Sequence, residues 1–124
     1  MKAICIIPAR GGSKGVPKKN IKKINGKPLL GYVIESTKKS KIFQHVIVST
    51  EDDEIAKIAK KFGAEVPFRR PKILASDYAS MDKVLLHAVQ ELYKLNYEFD
   101  VFVWRDATTP FIKSEDIKNS IQLL

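Results

Sequence analysis

CIIPARGGSKGVPKKN, residues 5–20, runs an apolar segment straight into two adjacent glycines and a crowd of cations. The apolar segment begins at KAICIIPA, residues 2–9, and its unbroken isoleucines predict a strand buried on both faces, as in a parallel sheet. Gly11, Gly12 and Gly15 permit backbone conformations that turn N–H groups into one concavity. Arg10, Lys14, Lys18 and Lys19 add full positive charges, and Ser13 adds a hydroxyl donor. A strand that empties into such a loop predicts a polyanionic ligand at its carboxyl end, where open parallel sheets bind. The competing reading is an ordinary solvated surface loop. The stretch is not a Walker A loop, because the position due for a second glycine holds Val16, and G-x-G-x-x-G has no register in GGSKGVPK.

Working outward, the periodicities alternate. PLLGYVIESTKKS, residues 28–40, predicts a helix with Pro28 in its first turn and Leu30, Val33, Ile34 and Thr37 on one side. HVIVST, residues 45–50, predicts a second buried strand. In STEDDEIAKIAKKFG, Ser49 or Thr50 is expected as N-cap, Glu51 to Glu54 fill the first turn, and Gly63 makes a left-handed stop. Ile55, Ile58, Ala59 and Phe62 form the apolar stripe. AEV, residues 64–66, reads as a short third strand, and residues 67–79 as a loop. SMDKVLLHAVQELYKL predicts a helix capped by Ser80, with Val84, Leu85, Ala88, Val89 and Leu92 facing inward. DVFVWR is a fourth strand, DATTPFIK a turn, and Ser114 caps a last helix. Strand and helix in alternation specify one α/β domain over residues 1–124 with a mainly parallel sheet. The last helix still presents Ile117, Ile121 and Leu124 where the chain stops, so the sequence reads as truncated, or as half of a larger unit.

Charge placement agrees with the glycine loop. The net charge is +8, yet residues 1–41 hold 11 of the 22 cationic side chains against a single acid, Glu35. Such a concentration points to an anionic partner at one end of the domain. The basic region lacks interleaved aromatics and recognisable nucleic-acid motifs, which argues against RNA or DNA. No apolar run approaches the length of a membrane span, and Cys5, without a disulfide partner, fits a reducing cytoplasm.

Three stretches, IPARGGSKGVPKKNI, GKPLLGYVI and VIVSTEDDEIAKIAKKFGAEVPFRRPKILASDYAS, together resemble the acylneuraminate cytidylyltransferase family, the CMP-sialic acid synthetases. The resemblance covers nearly the whole chain and implies a three-layer α/β/α, Rossmann-like fold of the nucleotide-diphospho-sugar transferase kind. It implies transfer of CMP from CTP to a nine-carbon 2-keto sugar acid, with Mg²⁺ and with release of pyrophosphate. By resemblance, Arg10 and Lys19 hold the triphosphate and stabilise charge developing on it. Gly11, Gly12 and Ser13 complete the cradle, Asn20 contacts the nucleotide, and Arg70 and Ser80 match positions that contact the cytidine. Each of the last three has a structural alternative: a turn for Asn20, packing beside Pro71 for Arg70, and the helix cap for Ser80. His45 and His87 read as structural.

The pattern departs in two places. Where the family shows a Gln-Pro-Thr-Ser-Pro turn, this chain has RDATTPF, so Asp106 takes the glutamine position and Thr108 is kept. Both are expected to face the sugar acid, and Asp106 is alternatively a Mg²⁺ ligand or the carboxylate of an Asx-turn. Family members are also nearly twice as long, and their second halves supply metal ligands and subunit contacts. A homo-oligomer or a partner chain is therefore expected. A non-catalytic, partner-dependent nucleotide-binding module is the rival reading, and a general polyanion binder ranks below both.

Overall fold

Every residue from Ile4 to Ile7 in strand β1 (Ala3–Pro8) is fully buried, because this strand is paired on both edges and covered on both faces. A computed structural model describes residues 2–11, 22–75 and 80–105. Strands β4 (His45–Ser49) and β5 (Val101–Trp104) flank β1 in the order β4-β1-β5, and both pairings are parallel. The register runs from Ile4 opposite His45 to Pro8 opposite Ser49 on one side, and from Ala3 opposite Val101 to Ile6 opposite Trp104 on the other.

Side chains alternate across this sheet and divide the core in two. Cys5, Ile7, Val46 and Val48 face helices α1 (Leu29–Lys39) and α2 (Asp53–Lys61), meeting Leu30, Val33, Ile34, Ile55, Ala56 and Ala59. Ile4, Ile6 and Ile47 face the other way, onto Leu85, Ala88 and Leu92 of helix α3 (Met81–Lys94). The three-layer parallel α/β/α architecture expected from the sequence is therefore present, with the predicted stripes of α1 and α3 turned inward. Gly31 brings α1 close to α2, since a Cβ there would stand 2.9 Å from Phe62 Cζ.

Four local features differ from expectation. The cap of α2 is Asp52, whose side chain accepts from Ile55 N at 3.0 Å. Ser49 belongs to β4, and Thr50 Oγ1 accepts the Asp52 N–H, so only Asp53 and Glu54 lie in the first helical turn. Residues 64–66 make a single parallel bridge, Glu65 with Ile47, instead of a strand. Pro67 follows with no N–H to extend the ladder. The loop that follows contains a 3₁₀ turn, Lys72–Ala75. A small antiparallel hairpin, β2 (Lys23–Ile24) with β3 (Lys27–Pro28), precedes α1. It turns through Asn25 and Gly26 at φ 53° and 80°, as a primed two-residue turn requires. The turn expected at 106–113 and the helix after Ser114 lie outside the described residues.

Helix ends are closed by left-handed residues. Gly63, at φ 96°, donates to Lys60 O while Ala64 donates to Ala59 O, a Schellman closure of α2. Asn96, at φ 65°, closes α3 in the same way, through Tyr97 N to Leu92 O at 3.0 Å. That closure delivers Tyr97 to the amino end of the sheet. There its hydroxyl donates to Glu65 Oε1 at 2.8 Å, Glu65 Oε2 lies 2.7 Å from His45 Nδ1, and the two rings meet edge to face.

This cluster staples the end of the sheet opposite the glycine loop, and it predicts a pH dependence. Burial first, then the hydrogen bond and charge of Glu65, raises the Tyr97 hydroxyl from 10.0 to about 12. A group whose proton is held more tightly in the folded state stabilises fully below its unfolded pKa and loses that contribution as pH rises through its folded pKa. Stability from Tyr97 should therefore be complete below pH 10 and fade towards pH 12. Tyr97→Phe should lower stability by about 1 kcal/mol near neutrality. Urea denaturation measured against pH should show the variant without the wild type's alkaline decline over that window.

Candidate functional site

The strand order places the functional end. Counting the Glu65 bridge outside β4, the chain builds outward from β1 in one direction and then resumes on its other side with β5. The order thus reverses at β1, and open α/β sheets bind ligands outside the strand carboxyl ends at such a reversal. Ala9 N donates to Ser49 O at 2.9 Å, carrying the β1–β4 pairing one step further before Arg10 and Gly11 leave the sheet.

Gly11 lands on the segment that links β4 to α2. Its N–H donates to Glu51 Oε1, and a Cβ at this position would stand 2.6 Å from Asp52 Oδ2 and 2.9 Å from Asp52 Cβ. Only a glycine permits this approach without displacement of the Asp52 side chain and the helix it caps. The second Glu51 oxygen is buried and has no hydrogen-bond partner among the described residues.

Two guanidinium groups share this end. Arg10 is half-buried, and its Nη1 reaches Ala75 O at 3.5 Å, the outer limit of a hydrogen bond. Arg70 is only 5% exposed; its Nη2 donates to Ser49 O at 2.7 Å and its Nε to Ser49 Oγ at 3.2 Å. Its backbone N–H takes Thr50 O at 2.8 Å. The loop after β4 is thus sealed by one side chain that gives the strand's last carbonyl a second donor beside Ala9 N. Burial lowers the pKa of Arg70, with the charge of Glu51 opposing that shift and the charge of Arg10 adding to it. Arg10, Arg70 and Glu51 therefore act on one another as a single electrostatic group. The Arg70 charge is opposed here by the carboxylate of Glu51.

Ser80 caps α3, its Oγ accepting from Lys83 N at 3.3 Å. A hydroxyl that accepts in a cap still carries its own O–H donor, so capping and ligand contact are compatible in this side chain. At the end of β5, the buried Arg105 crosses to the last turns of α1. Its Nη1 reaches Thr37 Oγ1 at 2.5 Å, Ser36 Oγ at 3.1 Å and Val33 O at 3.4 Å. Burial lowers its pKa, with the nearby Cys5 opposing. This anchorage fixes the point from which residue 106 departs. Cys5 is buried, and its thiol is pushed up to about 12 by that burial, with Arg105 opposing; it is no nucleophile.

Of the residues expected from the sequence, Arg10, Gly11 and Arg70 are brought together, and Ser80 stands at the start of α3. Gly12, Ser13, Lys19, Asn20, Asp106 and Thr108 lie outside the described residues. Glu51 and Asp52, expected from the sequence as ordinary first-turn acids, lie beside Gly11 instead. No local signal in four consecutive acids separates them from the helix. Among the described residues no group of three or more His, Cys, Asp or Glu side chains could hold a metal ion. A surface concavity lined by Lys2, Gln44, His45, Asn96 and Tyr97 opens at the other end of the sheet. No described helix is long and apolar enough to cross a membrane.

Comparison with known proteins bears on the family and the fold. A family described as cytidylyltransferase matches residues 4–124. The chain is 43% identical over 122 residues to the pseudaminic acid cytidylyltransferase of Campylobacter jejuni, covering 98% of this chain and 53% of that protein. It is 40% identical over 119 residues to the N-acylneuraminate cytidylyltransferase of Oncorhynchus mykiss, covering 96% of this chain and 26% of that one. The fold superposes with a TM-score of 0.81, at 27% identity, on CMP:2-keto-3-deoxy-manno-octonic acid synthetase complexed with CTP. That match covers 98% of this chain and 46% of the other. The chain spans about half the length of the bacterial relative and about a quarter of the fish one.

The two roles open to Ser80 can be separated by substitution. Aspartate caps a helix as well as serine, whereas alanine loses roughly 1 kcal/mol. Ser80→Asp should therefore leave the thermal midpoint of the protein unchanged and Ser80→Ala should lower it. If the hydroxyl also contacts a nucleotide, both variants should bind that nucleotide more weakly, a pattern that thermal melting and calorimetric titration together resolve.

Proposed function

This chain belongs to the cytidylyltransferase family, and on that premise we propose that it forms the nucleotide-binding part of an enzyme that activates a sialic-acid-like sugar. The reaction is transfer of CMP from CTP to a nine-carbon 2-keto sugar acid. A sugar hydroxyl oxygen attacks the α-phosphorus and the bond from that phosphorus to the β-phosphate oxygen breaks. Pyrophosphate leaves, and the hydroxyl proton passes to solvent. The observation that carries this reading is the convergence of Arg10, Gly11 and Arg70 at the carboxyl ends of β1 and β4. The relatives' names, pseudaminic acid and N-acylneuraminate cytidylyltransferase, support the choice of sugar class.

Nucleotidyl transfer depends on positioning and on electrostatic stabilisation of an in-line displacement more than on a protein nucleophile. In this proposal Arg10 and Lys19 stabilise the charge that moves onto the α-phosphate and the departing pyrophosphate. Gly11, Gly12 and Ser13 line the cradle, and Asn20 and Ser80 contact the nucleotide. Arg70 spends two of its five N–H donors on Ser49 and directs its charge to the cytidine side. Mg²⁺, when bound, would supply charge neutralisation on the triphosphate, and Asp106 is this chain's candidate ligand for it. Asp106 and Thr108 are the proposed contacts to the sugar acid. A cytoplasmic location and assembly with a second copy or partner chain belong to the same proposal. The first rests on the single buried thiol of Cys5, the second on the exposed Phe102 and Trp104 of β5.

Calorimetric titration with CTP, UTP and ATP in the presence of Mg²⁺ tests this reading, with Lys19→Ala alongside. CTP should bind tightest, and the substitution should weaken it about tenfold or more, the scale of one lost charge-assisted phosphate contact. Absence of triphosphate binding, or equal affinity for ATP, would overturn it.

A further inference from the structure

The hydrogen bond from Gly11 to Glu51 sets a problem that the proposed function leaves open. A carboxylate beside a triphosphate site repels the ligand, and at a few ångströms such repulsion is substantial even at a protein surface. Yet Glu51 is half-buried at the mouth of the site, and its charge is felt by Arg70 there. The geometry shows what offsets the repulsion. Glu51 Oε1 accepts the N–H of the first glycine of the loop, a charge-assisted bond stronger than one to a neutral acceptor. Asp52, the next residue, forms the wall against which Gly11 rests, and its own side chain is tied down by capping α2. The peptide preceding Gly11 is therefore held from the β4 side by two successive residues of a rigid strand-to-helix junction.

Building on the nucleotide reading above, we propose that Glu51 is a positioning residue. Its carboxylate orients the Gly11 peptide where the chain leaves β1, beside Arg10 and Arg70. It acts through the loop backbone and does not touch the ligand. The Gly11 N–H is consequently spent on Glu51. The same carboxylate also opposes the lowering of the Arg70 pKa by burial and by Arg10.

Two opposed effects make the proposal testable by the sign of a change. If Glu51 were only a neighbouring negative charge, Glu51→Gln would tighten CTP binding, because a repulsion is removed while the shape is kept. If it positions the loop, the neutral amide holds Gly11 less firmly and binding weakens. We expect calorimetric titration of the full chain with CTP and Mg²⁺ to give roughly tenfold weaker binding for Glu51→Gln, with the stoichiometry unchanged. Gly11→Ala, which drives a Cβ into Asp52, should weaken binding as well. The Gly11 amide proton resonance should move upfield in Glu51→Gln. Tighter or equal binding by Glu51→Gln would overturn the positioning role. So would an unchanged dissociation constant with reduced stoichiometry, the mark of a residue that only helps the chain fold. A wild-type chain that binds no triphosphate would instead overturn the nucleotide reading itself, and this inference with it.

Discussion

β1 is hydrogen-bonded along both edges and buried on both faces, and that double confinement governs everything built around it. It cannot shift without moving β4 and β5 together, so the residues that follow Pro8 emerge at a fixed place and in a fixed direction. The same parallel pairing puts the ends of β4 and β5 beside it. Arg10 and Gly11, Ser49 through Asp52, and Arg105 are consequently neighbours although they come from three distant parts of the chain.

The two ends of the sheet are finished in different chemistry. At the amino end, His45, Glu65 and Tyr97 close a small network that satisfies both oxygens of Glu65. At the carboxyl end, Arg70 and Arg105 each spend donors on backbone carbonyls and hydroxyls, and Glu51 is committed to a backbone N–H. Buried charge is tolerated there because it is hydrogen-bonded.

Much of this fold is legible in the sequence because burial leaves a periodic trace. The unbroken run in β1, the stripe Leu30, Val33, Ile34 and Thr37, and the capped start of α3 at Ser80 all follow from that trace and from local capping chemistry. Gly63 is readable for the same reason, since little else adopts its backbone conformation cheaply. The misreading at Glu51 and Asp52 has a physical cause. Four consecutive acids suit a helix N-terminus in any register, and what moves the cap to Asp52 is the tertiary pairing of Ser49 with Pro8. The Asn25-Gly26 turn carried its usual signal, but the two-residue strands beside it are too short to show alternation. Arg70 illustrates the boundary best. The resemblance singles it out, while its bonds to Ser49 depend on how residues 21 positions apart come together in space.

The most direct measurement is a residue-resolved amide spectrum of the chain recorded with and without CTP and Mg²⁺. The account predicts shifts concentrated at Arg10, Gly11, Glu51, Arg70 and Ser80, with the amides of His45, Glu65 and Tyr97 undisturbed. Shifts centred on the His45–Tyr97 end, or spread evenly over the lysine-rich surface, would contradict a nucleotide site at the carboxyl ends of β1 and β4.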